Sequence, residues 1–172
     1  MNWPARPPSI QTNLDQLLNR WTSDPDIQEN VVHWEIKPPR EAQVYPVPSE
    51  ISPALAQALG TLGYSGLYQH QLKAYEQASA GRCAVIATST ASGKTLCYNL
   101  PVFDALLRDP AATAIYIFPT KALAHDQQET LTQLSEQAGG QVTVGAYDGD
   151  TPGNHRGFIR TNARILLTNP DM

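Results

Sequence analysis

The sequence predicts an α/β domain: a P-loop domain with a parallel sheet and helices on both faces, preceded by a proline- and tryptophan-rich arm. Strand-like apolar runs alternate with helical patterns from residue 51 onward, and that alternation selects a parallel sheet. Polar loops follow the runs, as expected where ligands sit at the carboxyl ends of strands. The run at 83–87 leads into a small-residue loop ending Gly93-Lys94-Thr95 and then a helical pattern, the order a phosphate-binding loop requires.

At 172 residues the chain allows one domain, or one domain with an arm, and 41% hydrophobic against 16% charged residues can bury a core. No apolar stretch is long enough for a bilayer and no signal-peptide core opens the chain, so a soluble, cytoplasmic protein is expected. Cys83 and Cys97 lack metal-ligand spacing and read as reduced packing residues. The net charge of −4 excludes a strongly basic binding domain. Residues 1–50 hold four basic and seven acidic side chains, leaving eight against nine and a nearly neutral remainder.

Residues 1–50 read as an arm. They hold Trp3, Trp21 and Trp34 and eight of the fourteen prolines. Thr12 or Asn13 caps a helix with Leu14, Leu17, Leu18 and Trp21 on one face; residues 31–36 form a strand closed by Pro38 and Pro39. The arm is expected to wrap the main domain, 51–172, with Trp21 and Trp34 as anchors.

In the main domain, Ser52 and Pro53 cap and open a helix that Gly60 stops. A second helix spans 67–80, with Gly81 past its end. Gln71 within it is either a solvated helix residue or, with its paired donor and acceptor, a reader of an adenine edge beside Tyr68.

Next come the 83–87 strand and the loop Thr88, Ser89, Thr90, Ala91, Ser92, Gly93, Lys94 and Thr95. The first N–H groups of a helix lack partners and carry the positive end of its dipole, so this loop makes a nest for an anion. Gly93 allows close backbone approach, Lys94 reaches the β and γ phosphates, and the Thr95 hydroxyl holds Mg²⁺. Thr88 stands where the usual first glycine would be.

Leu96, Leu100, Phe103 and Leu107 give the following helix an apolar stripe, with a kink expected at Pro101. Strands follow at 114–118, 142–146 and 164–168, and helices at about 121–137 and after Thr151-Pro152. The phosphate loop, residues 119–121, residues 148–150 and residues 168–169 are thereby all expected on one sheet edge, which suits a second, extended ligand. Asp148 and Asp150 read as turn formers. Arg156, Arg160 and Arg164 share an i+4 spacing that either tracks phosphates or faces solvent.

These segments resemble the superfamily 2 DEAD/DEAH-box helicases. Residues 88–95 look like motif I, 119–124 like motif Ia and 168–171 like motif Ib, and Gln71 falls where the Q motif is expected. The combination is closer still to the mitomycin-repair-factor-like DNA helicases, whose members carry a C-terminal four-cysteine zinc domain. The resemblance covers 67–172 and implies an incomplete RecA-like P-loop domain. It implies that Gln71 reads adenine and that residues 88–95 hold ATP and Mg²⁺, with Lys94 and Thr95 the catalytic positions. Pro119, Thr120, Lys121, Thr168 and Asn169 would touch DNA, single-stranded or partly duplex, with RNA left open.

No adjacent Asp-Glu pair occurs in the chain, so the acids of motif II are not among these residues. The chain therefore reads as the N-terminal part of an ATP-dependent DNA helicase, partnered by the remainder of the helicase chain and not hydrolysing ATP alone. A small P-loop NTPase or kinase acting on a metabolite, and a binding module without chemistry, are the other readings of the same residues.

Overall fold

The computed structural model describes residues 13–35 and 42–172, which belong to two units, one up to Glu41 and one from Ala42. In the first, α1 (Asn13–Ser23) is followed by α2 (Pro25–Asn30), a helix the sequence reading did not include. Asp24 caps α2 by accepting from the Asp26 N–H at 3.1 Å, with Pro25 in the first turn. Leu14, Leu17 and Trp21 on the expected face of α1 are all exposed.

The strand expected at 31–36 does not form over 31–35: Val32 is exposed, and no β-ladder among the described residues includes them. A strand without a neighbour leaves its backbone groups to water and has nothing to hold it. Trp3, Thr12, Ile36, Pro38 and Pro39 lie outside the described residues.

In the second unit, β1 (Val44–Tyr45) pairs antiparallel with β2 (Leu67–Tyr68). Between them lies α3 (Pro53–Thr61), where Ser52 Oγ accepts from the Leu55 N–H at 3.4 Å. Because residues 67 and 68 are spent in β2, the next helix, α4 (Gln69–Ser79), starts later than expected. Then come α5 (Lys94–Arg108), continuous through Pro101, β3 (Ala114–Ile117) and α6 (Lys121–Gln137). The chain closes with β4 (Val144–Ala146), α7 (Gly153–Asn162) and β5 (Ile165–Thr168). Pro152 rather than Thr151 stands at the cap of α7, because the Thr151 hydroxyl is engaged in the turn before it.

Strands β3, β5 and β4 form a parallel sheet in that order. The register puts Tyr116, Leu167 and Ala146 on one face and Ile115, Leu166 and Gly145 on the other. The first face carries the core: Leu55, Leu59, Leu100, Phe103, Leu131 and Leu167 are all completely buried. Each such side chain contributes roughly 2–3 kcal/mol of transfer free energy. On the second face α7 comes so close at Gly145 that a Cβ there would lie 2.8 Å from Ile159 Cγ2. Beside it Ile115 and Ile117 remain 68% and 66% exposed.

The expected strand at 83–87 is also not formed. Val85 is 94% exposed, Cys83 is exposed rather than packed, and a hollow of about 370 Å³ separates residues 84–88 from α4. The three sheet strands pair with one another, and none of the described residues offers 83–87 a ladder of hydrogen bonds. The phosphate loop therefore does not follow a sheet strand, and three loops rather than four share the sheet's carboxyl edge.

A buried carboxylate ties three helices together. Asp104 of α5 accepts from the Ser52 N–H at 2.7 Å, the Tyr75 hydroxyl at 2.9 Å and Arg108 Nε at 3.0 Å. Burial, and next the Asp104 hydrogen bond, push the Tyr75 phenol above its ordinary value.

Candidate nucleotide and nucleic-acid site

Gly93 starts α5 in the left-handed conformation, φ +76°, which L side chains avoid. A Cβ there would also lie 2.6 Å from Gln71 Nε2, so a side chain would strain the backbone and displace the Gln71 amide. Ala91 also adopts positive φ, +57°. No side chain caps α5, which leaves its first N–H groups directed into the loop.

The rest of the loop is held by its own groups. Lys94 turns back and donates to the carbonyls of Thr88 at 3.1 Å and Ser89 at 2.5 Å, while the Thr88 and Ser92 hydroxyls meet at 2.7 Å. The ammonium thus occupies the hollow of the loop. Thr95 is half-buried at the second position of the helix.

Helix α4 braces the loop from behind. Gln71 is buried, not solvated: its amide oxygen accepts from the Tyr68 N–H at 2.8 Å and its Nε2 donates to the Gly93 carbonyl at 3.0 Å. His70 Nε2 donates to the Ser92 carbonyl at 2.8 Å, and its ring stacks on Tyr68 with centroids 5.9 Å apart. His70 was not among the expected site residues; its place beside Gln71 in the first turn of α4 is the signal that could have found it.

A second cluster gathers where β3, β4 and β5 end. Thr120 caps α6 by accepting from the Leu123 N–H at 3.3 Å, and Lys121, the first helical residue, pairs with Asp150 at 2.8 Å. Asp148 forms the turn as expected and is also buried. It accepts from the N–H groups of Asp150 at 2.9 Å and Thr151 at 3.1 Å, and from His125 Nε2 at 3.0 Å. Burial alone would raise its pKa, but the Asp150 N–H and His125 outweigh it and hold the carboxyl below its ordinary value.

Pro119 and Thr120 are exposed and Asn169 is buried. Thr168 Oγ1 and Asn169 Oδ1 are buried without hydrogen-bond partners. The arginines do not form a free track. Arg164 donates to the carbonyls of Leu106, Asp109 and Ala112, and Arg156 to Thr151 and Asp148 while lying 5.5 Å from the Tyr147 ring centroid. Among the described residues no hydrogen bond or ion pair joins this cluster to the phosphate loop, and no three metal-ligating side chains converge.

A parallel sheet with ligand-facing loops at one edge and a helix opening on Gly-Lys-Thr is the plan of the RecA-like α/β domains. The chain belongs to the DEAD/DEAH box helicase family, whose profile matches residues 68–172. It is 43% identical over 155 residues to "Uncharacterized ATP-dependent helicase YprA" of Bacillus subtilis, covering 90% of this chain and 21% of that protein. It is 37% identical over 168 residues to "ATP-dependent helicase HRQ1" of Saccharomyces cerevisiae, covering 95% and 15%. The fold is similar to that of DUF1998 helicase MrfA solved with DNA and AMPPNP, at a TM-score of 0.82 and 41% identity over 90% of this chain and 22% of that one. The chain thus spans about a fifth or less of the length of these relatives. No helix among the described residues is long and apolar enough to cross a membrane.

Proposed function

We propose that residues 51–172 are part of the first motor domain of an ATP-dependent DNA helicase that acts in DNA repair, with residues 88–95 as its triphosphate cradle. The observation that carries this is the uncapped start of α5, where a glycine in the left-handed conformation is followed by Lys94 and Thr95. A triphosphate would accept the open N–H groups and take Lys94 from the Thr88 and Ser89 carbonyls, exchanging neutral acceptors for charged ones. The donor set fits the triphosphate. For Mg²⁺ the loop offers the Thr95 hydroxyl, so phosphate oxygens and water would supply the other ligands. When bound, ATP with Mg²⁺ supplies the phosphoryl group whose transfer drives a motor. This chain's own part is to position it, and Gln71 joins the nucleotide site by fixing Gly93. A contact from Gln71 to adenine requires its amide to leave that carbonyl.

Pro119, Thr120, Lys121, Thr168 and Asn169 are the proposed contacts for a DNA strand. The support is their common position at the carboxyl edge, together with two buried oxygens that lack partners among the described residues. Phosphate contacts from hydroxyls, amides and helix starts do not need a basic domain, which fits a net charge of −4. The remainder of a helicase chain is the proposed partner for the open sheet face at Ile115 and Ile117. The chain alone is expected to turn over ATP negligibly, because these residues stabilise charge from one side of the γ-phosphate only.

The reading is tested by fluorescence anisotropy of a labelled single-stranded oligonucleotide against the 172-residue chain over a KCl series. Saturable binding that weakens as salt rises is expected. Absence of binding at the lowest salt would overturn the nucleic-acid part.

A further inference from the structure

Lys121, the only cation among the proposed strand contacts, is already paired within the chain. Its ammonium lies 2.8 Å from Asp150 Oδ2. It also sits over Gly149 so closely that a Cβ there would be 3.3 Å from Nζ. The pairing is a product of the fold, because the turn that presents Asp150 is fixed from below. Buried Asp148 accepts the N–H groups of Asp150 and Thr151 and holds His125, one turn along α6 from Lys121. Lys121 therefore holds its proton more firmly than an ordinary lysine, first through the Asp150 contact, with Asp148 and Asp171 adding at longer range. Asp150 is thus the carboxylate that meets the ammonium a phosphate would use. Asp150 itself is 75% exposed and contributes only its N–H to the turn, so its carboxylate is free to leave.

We propose that Asp150 is a built-in competitor of nucleic-acid phosphate for Lys121, holding the ammonium when no strand is bound and yielding it when a phosphate takes its place. Asp150 then sets the affinity and salt dependence of strand binding without touching the strand. This rests on the nucleic-acid reading above and adds to it a residue that weakens binding, which composition and motif do not reveal.

The test is a double-mutant cycle on the 172-residue chain with a labelled single-stranded oligonucleotide over a KCl series, the fold of each variant checked by circular dichroism. Asp150→Asn is expected to tighten binding roughly three- to fivefold at low salt and to steepen the logarithmic salt slope by about 0.7, one more phosphate neutralised. In a Lys121→Gln background the same substitution is expected to gain nothing. Glu136→Gln, at the far end of α6, removes an equal charge and is expected to leave affinity unchanged. Asp150→Ser repeats the test with a side chain of different shape. The proposal is overturned if Asp150→Asn binds no tighter, if its gain survives in the Lys121→Gln background, or if Glu136→Gln matches it. If the unaltered chain binds no strand at any salt, the nucleic-acid reading falls and the competitor with it; if it binds and Asp150→Asn changes nothing, the competitor alone falls.

Discussion

Lys94 spends its charge inside its own loop. An ammonium on two carbonyls 3.1 and 2.5 Å away is satisfied but neutralises no charge, so an incoming phosphate competes only with neutral acceptors. Gly93 makes that exchange possible, since its backbone must turn through positive φ before α5 begins. Asp104 plays the opposite part and is a fixed point. Its carboxylate is 5% exposed and serves the start of α3, the Tyr75 hydroxyl and Arg108 together. Asp104→Ala leaves the Ser52 N–H and the Tyr75 hydroxyl without an acceptor and is expected to cost about 2–4 kcal/mol, read from urea denaturation. A loss below about 0.5 kcal/mol would mean that water replaces the carboxylate at no cost.

At the scale of elements, what could be read from sequence was whatever rests on local chemistry. Ser52-Pro53 and Thr120 open helices because a hydroxyl cap or a first-turn proline acts within four residues. The apolar stripe of α5 buries as its spacing requires, with Leu96, Leu100 and Phe103 in the core. Residues 31–35 and 83–87 form no strand among the described residues, because a strand is completed by neighbours that the run itself does not encode. Leu67 and Tyr68 fit a helical pattern yet form a strand for the converse reason, since pairing with Val44 and Tyr45 outweighs that pattern. In the candidate site, Gly93, Lys94 and Thr95 were legible from one octapeptide. The burial of Asp148 and the bracing by His70 depend on contacts more than twenty residues away in sequence and were not. Hydrogen exchange followed by mass spectrometry distinguishes these strands. Amides of residues 83–87 are expected to exchange at near-unprotected rates while those of β5 are protected. Equal protection would require a pairing partner for 83–87.

For the molecule as a whole, the sheet's carboxyl edge is held together by charge as much as by packing. Asp148 titrates below its ordinary value in the folded chain, so the stability it contributes is present above its unfolded pKa and is lost as pH falls through the folded one. Thermal stability is accordingly expected to drop on acidification below about pH 4, and Asp148→Asn to flatten that part of the profile while lowering stability at neutral pH. Profiles that stay parallel would remove Asp148 from the acid response. The same edge carries the proposed strand contacts, beside the proposed phosphate cradle that α4 braces.

The cradle is the claim the others depend on, and isothermal titration of the 172-residue chain with a non-hydrolysable ATP analogue and Mg²⁺ tests it most directly. Saturable, Mg²⁺-dependent binding near one site per chain is expected, at least tenfold weaker in Lys94→Ala, the scale of one lost charge-assisted contact of about 1.4 kcal/mol or more. No binding by the unaltered chain, or equal binding by the variant, would contradict it.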